Sequence, residues 1–136
     1  MKGIKPIILL EDDEVDVMTV QRALNELHVR NRLIVFQDGE AALKHFNQAD
    51  PEIPCIILLD LNMPRMGGVE FLKAFRKQNK FNRIPVVVLT TSGEQHDILQ
   101  TYDLGISGYM VKPMDFKKFV EMMRTINLYW TLSESP

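Results

Sequence analysis

Cys55-Ile56-Ile57-Leu58-Leu59-Asp60-Leu61-Asn62-Met63-Pro64 is the stretch whose reading decides how the rest of the chain is read. Five apolar residues run straight into one carboxylate, and Pro54 and Pro64 bracket the run. An unbroken apolar run of this length predicts a strand buried on both faces of a parallel sheet. Asp60 then falls at the carboxyl end of that strand, the edge of an open α/β sheet where ligands bind. A carboxylate there needs a cation or a chemical task, because an unpaired buried charge is costly.

The same pattern recurs on either side. Ile7-Ile8-Leu9-Leu10 is a second short apolar run and ends in Glu11-Asp12-Asp13. Val20, Ala23, Leu24 and Leu27 follow at helical spacing. Leu33-Ile34-Val35-Phe36 reads as a strand closed by Asp38-Gly39, with a short helix carried by Ala41, Ala42, Leu43 and Phe46. Residues 48–54, with two prolines, read as a loop. Beyond Asp60, Gly67-Gly68 gives a turn, and Phe71, Leu72 and Phe75 form an apolar stripe. Ile84 to Leu89 is another buried strand, running into Thr90-Thr91-Ser92-Gly93. Glu94 to Tyr102 predicts a helix with only Ile98, Leu99 and Tyr102 to bury. A last strand, Ser107 to Val111, ends in Lys112-Pro113, and Phe116, Phe119, Val120 and Met123 define the final helix. Strand and helix alternate throughout, which predicts an α/β fold: a doubly wound, five-stranded parallel sheet with helices on both faces. The expected division is a domain over 3–128 and a C-terminal tail over 129–136.

Composition narrows the function classes. At 136 residues the chain is long enough for one domain with a full core. A formal charge of −2 gives no electrostatic footprint for nucleic acid. Arg76, Lys77, Lys80 and Arg83 read as a solvated helix end. Cys55 is the only cysteine, which excludes an internal disulfide, and it reads as a small buried hydrophobe opening the strand. No secretory leader is recognisable, and no apolar stretch approaches the ~20 residues of a membrane span. The expected location is the cytoplasm. His28, His45 and His96 lack metal-site spacing.

What matters is the company at the strand ends. Parallel strands deliver Glu11-Asp12-Asp13, Asp60, Thr90-Thr91 and Lys112 to one edge of the sheet. Asp13 reads as a helix cap. The other acids, crowded together, repel one another, and a hard cation relieves that repulsion. Mg²⁺ in particular binds through one or two carboxylates plus waters and phosphate oxygens. Lys112 adds a positive charge, Thr90 a hydroxyl and Thr91 a backbone N–H. Together these make a phosphoryl-binding set.

Four segments in this order and spacing resemble the receiver domain of two-component response regulators over nearly the whole chain. They are Leu10-Glu11-Asp12, Leu59 to Gly68, Leu89-Thr90-Thr91-Ser92, and Gly108 to Pro113. Glu11 stands where aspartate is more frequent, and Gly67 where aspartate is common. The end of the chain, Ile126-Asn127-Leu128-Tyr129-Trp130, and the proline-containing loop before Cys55 look like the small stand-alone regulators that partner bacterial phytochrome-type histidine kinases.

The resemblance implies a flavodoxin-like strand order 2-1-3-4-5 and names Asp60 as phosphoacceptor. It implies Mg²⁺ held by Asp12, Asp60 and the Asn62 carbonyl, with Glu11 reaching it through water. Lys112 would pair with the phosphoryl group, with Thr90 donating its hydroxyl and Thr91 its N–H. It implies a cis Lys112–Pro113 bond. Thr90 and Tyr109 would form the switch that changes the surface of the fourth helix, fifth strand and fifth helix. Asn62 and Ser92, neither bulky, imply no unusually long phosphoryl lifetime. The implied protein is a signalling partner of a histidine kinase, with a homodimer possible, that catalyses only its own phosphorylation and dephosphorylation. Two rivals are an aspartyl-nucleophile phosphatase, which would want a second acid where Asn62 stands, and a flavodoxin-like cofactor binder, whose phosphate the acidic first loop would repel. Tyr129 and Trp130 are left to a core, dimer or kinase contact.

Overall fold

Four or five residues suffice for each strand, and the central ones carry no polar interruption. The computed structural model describes residues 4–132, the side chains of 131 and 132 excepted. β1 (Ile7–Leu10), β3 (Ile56–Leu59) and β4 (Val86–Thr90) are buried at every position, whereas β2 (Leu33–Phe36) and β5 (Gly108–Val111) lie half-buried at the edges. The sheet is parallel throughout, in the order β2-β1-β3-β4-β5. Register aligns Leu10 with both Phe36 and Leu59, and Leu59 with Val88, so these strands reach one edge together.

Helices α1 (Glu14–Glu26), α2 (Gly39–Phe46), α3 (Gly68–Arg76) and α4 (Gln95–Asp103) fill the crossovers, and α5 (Phe116–Leu132) follows β5. Because successive side chains on a strand face opposite ways, each strand feeds two cores. Ile8, Leu10, Ile57 and Leu59 pack with Phe46, Phe71 and Phe75 on one face; Ile7, Leu9, Ile56 and Leu58 pack with Val20, Leu24, Phe119 and Met123 on the other. Thus α2 and α3 cover the first face, and α1 and α5 the second. The weak apolar signal of the fourth helix has a structural counterpart: Thr101 is the sole fully buried residue of α4 among those described.

Two expectations need correction. Arg76 is no solvated helix end: its guanidinium folds back, donating to the carbonyls of Phe81 at 3.2 Å, Ile84 at 3.3 Å, Leu104 at 3.3 Å and Gly105 at 3.0 Å. A planar fork with five N–H donors suits carbonyls contributed both by the segment between α3 and β4 and by the end of α4. Lys77 and Lys80 remain exposed. Cys55 is only half-buried and precedes β3 by one residue, with Asn31 Nδ2 at 3.8 Å from its sulfur. Burial lifts its thiol pKa. Helix α5 runs through residues 129–132, and residues 133–136 of the expected tail lie outside the described residues. Trp130 folds back against the second core, while Tyr129 meets it edge-on at 4.7 Å and stays exposed.

Candidate functional site

The acids converge because β1 and β3 are adjacent and end in register. Past those ends, Glu11 N donates to Phe36 O and Asp60 N to Leu10 O, each at 3.0 Å, which fixes both loops against the sheet. Glu11 is 2% exposed and Asp60 7%, while Asp12 lies open to solvent. One carboxylate oxygen from each of the three lies within 4.8 Å of the others. Three hard oxygen donors so placed fit a divalent cation that keeps part of its water shell. Without one, burial and then the neighbouring Asp60 push the Glu11 carboxyl up to about 7, against the opposing pull of Lys112. Asp13 caps α1, accepting from Val15 N at 2.8 Å and Asp16 N at 3.2 Å.

Lys112 arrives from β5, its own N–H bonded to Thr90 O at 2.8 Å. Its side chain is 9% exposed, and Nζ stands 2.6 Å from Glu11 Oε1, 3.1 Å from Asp16 Oδ2 and 3.9 Å from Asp60 Oδ2. Burial alone would lower the ammonium pKa, but the surrounding carboxylates outweigh it and the net shift is upward. The Lys112–Pro113 bond is trans, contrary to expectation, since no described peptide is cis. Trans is the lower-energy isomer, and the lysine reaches the acids without the other.

Asp16 is the residue that sequence reasoning missed. An acid in the first turn of a helix is ordinarily a partner of the helix dipole. Its contact with Lys112 arises only because β5 delivers the lysine beside α1. Asp38, at a strand end in the sequence, has a further part. In the structure it caps α2 through Ala41 N at 2.9 Å, and its other oxygen lies 3.5 Å from Arg65.

Thr90 ends β4, and Tyr109 lies on the neighbouring β5. Thr90 is wholly buried, and its Oγ1 lacks any hydrogen-bond partner among the described residues. A buried hydroxyl left unmatched is costly unless something else meets it. Thr91, one residue on, is exposed. Tyr109 is half-buried; its hydroxyl donates to Ser92 O at 2.6 Å, and Ser92 Oγ donates to Asp97 Oδ2 at 2.6 Å. Burial lifts the Tyr109 pKa. The loop after Asp60 packs tightly. Asn62 N approaches Asp60 Oδ1 at 3.4 Å, and a Cβ on Gly68 would lie 2.7 Å from Asp60 O. The structure therefore gathers Glu11, Asp12, Asp60 and Lys112, with Thr90 on the strand next to Asp60.

The family model of the response regulator receiver domain matches residues 7–124. The chain belongs to the response regulator receiver family. Among characterised relatives, response regulator Rcp1 of Synechocystis is 35% identical over 130 residues, covering 93% of this chain and 88% of that protein. The phosphorylated cyanobacterial phytochrome response regulator RcpA superposes with a TM-score of 0.87 at 31% identity, covering 98% of this chain and 99% of the other. The Mn²⁺-bound form of Rcp1 gives 0.87 at 34% identity, with 97% and 99% covered. The bacteriophytochrome response regulator RtBRR gives 0.77 at 38%, with 98% and 85% covered. As a response regulator receiver domain, the chain is a phosphorylation-dependent signalling protein with the five-stranded fold expected of it. No helix among the described residues is long and apolar enough to cross a membrane.

Proposed function

We propose that Asp60 accepts a phosphoryl group from a phosphohistidine on a sensor histidine kinase, and that the modified domain signals through its altered surface. One observation carries this reading: Lys112 Nζ stands 3.9 Å from Asp60 Oδ2, beside a three-carboxylate cluster drawn from two strand ends. Phosphoryl transfer asks a protein chiefly for positioning and charge neutralisation. Asp12, Asp60 and the Asn62 carbonyl would hold Mg²⁺, with Glu11 bonding through water. The ion, when bound, neutralises the charge of the incoming group. Asp60 offers its carboxylate oxygen to phosphorus as the P–N bond of the phosphohistidine breaks and the kinase imidazole leaves. Lys112 pairs with a phosphoryl oxygen, and the unmatched Thr90 hydroxyl and the Thr91 N–H donate to others.

Drawing Thr90 toward the phosphoryl group would leave space that Tyr109 can follow. Tyr109 in turn is tied through Ser92 to α4, which links the modification to the outer face of α4, β5 and α5. One or two charge-assisted bonds, each contributing roughly 1.5–3 kcal/mol, are enough to invert a two-state equilibrium. The acyl phosphate then hydrolyses on the same residues. Asn62 and Ser92 leave water a way in, so a half-life well short of many hours is expected. The likeness to Rcp1, RcpA and RtBRR supports a phytochrome-type kinase as the cytoplasmic partner. The exposed Tyr129 supports a homodimer contact along α5.

Asp60→Asn is expected to abolish labelling by acetyl phosphate with Mg²⁺ present. Undiminished labelling of the variant would refute the assignment.

A further inference from the structure

We propose that Asp16 is a brake on Lys112, holding the ammonium in the unmodified domain and so weakening the site's grip on a phosphoryl group. The proposal rests on Asp60 as phosphoacceptor. An ammonium has three N–H donors. Here two are spent on Glu11 at 2.6 Å and Asp16 at 3.1 Å, while Asp60 lies beyond hydrogen-bond reach at 3.9 Å. Glu11 belongs to the three-carboxylate cluster, but Asp16 does not: it sits on α1, apart from both strand ends. Among the described residues, its carboxylate has Lys112 as its one partner.

Two effects of Asp16 share a sign. It competes for the ammonium that a phosphoryl oxygen needs, and its own negative charge repels a dianionic group entering next to Lys112. Asp16 and Lys112 also line a small void of about 50 Å³ with Thr19, Val20, Pro113 and Phe119, so the pair is not locked by close packing on that side. Asp16 is 39% exposed at its side chain, so the restraint is moderate rather than absolute. A partly exposed charged pair of this kind is worth about three- to tenfold in an equilibrium constant.

The test is a calorimetric titration of beryllofluoride, a phosphoryl mimic, into the full chain at saturating Mg²⁺. It compares the wild type with Asp16→Asn, Asp16→Glu and Asp60→Asn. Asp13 supplies the α1 cap, so Asp16→Asn leaves that bond in place. The expected result is about three- to tenfold tighter binding by Asp16→Asn, with a higher steady-state fraction phosphorylated by acetyl phosphate. Asp16→Glu, which keeps the charge, should stay within about twofold of wild type. Unchanged binding by Asp16→Asn overturns the brake. Weaker binding also overturns it, and would make Asp16 a residue that aims the amine. If wild type and Asp60→Asn bind alike, the phosphoacceptor reading fails instead, and the two failures are told apart within one experiment.

Discussion

Glu11 concentrates the site's electrostatic conflict in one side chain. It is buried beside Asp60, which favours its neutral form, and it touches Lys112, which favours its charged form. Burial dominates, and the carboxyl rises from its ordinary 4.5 to about 7. An acid whose folded pKa exceeds its unfolded value stabilises the fold fully below the unfolded value and loses that contribution as pH climbs through the folded one. Without divalent metal, the stability contributed here should therefore decline between pH 4.5 and about 7, by on the order of 3 kcal/mol. Mg²⁺ takes the carboxylate form and should flatten the decline. Thermal melts across this range, with and without Mg²⁺, check the point. Glu11→Gln should remove most of the metal-free slope, and an identical slope in that variant would locate the titration elsewhere.

Between residue and fold stand the contacts that hold one element against another. Arg76 ties the end of α3 to the turn after α4 through carbonyls on both sides of it, including Gly105, whose φ of +84° turns the chain back toward the sheet. A lysine ammonium cannot span that set. Arg76→Lys is expected to cost about 1–3 kcal/mol in urea denaturation. Gly68 plays the corresponding part at the other end of α3. A methyl group there would meet Asp60 O at 2.7 Å and Leu61 Cα at 2.8 Å, backbone atoms that cannot yield cheaply. Gly68→Ala should destabilise the domain by about 1–3 kcal/mol. It should also weaken beryllofluoride binding, because the displaced atoms belong to the phosphoacceptor loop itself. A variant that lost stability yet bound normally would separate the helix start from the site.

Across the whole molecule, two apolar cores grip the sheet unequally. Phe46, Phe71 and Phe75 are fully buried under α2 and α3, and Met123 anchors α5, but α4 leaves Leu99 56% and Tyr102 47% exposed. Stability should be lowest where so little apolar surface is buried. Hydrogen exchange is expected to show α4 as the least protected of the five helices, with protection rising when Mg²⁺ and beryllofluoride are added. No change in α4 on addition would break the proposed link from Thr90 through Tyr109 and Ser92.

Strand burial, the alternation of elements, the Asp13 cap and the convergence of Glu11, Asp12, Asp60 and Lys112 were all legible in the chain. Those features follow from periodicity, local hydrogen-bonding chemistry and the rule that parallel strands finish at one edge. Asp16 at Lys112, the folded-back Arg76 and the trans Lys112–Pro113 bond were decided only by tertiary structure. The first two depend on which charge or carbonyl a distant segment brings within about 3 Å, the range over which a hydrogen bond forms, and the third on how the backbone around the proline settles. Spacing along the chain fixes which face a residue occupies, but not what the neighbouring element sets opposite it.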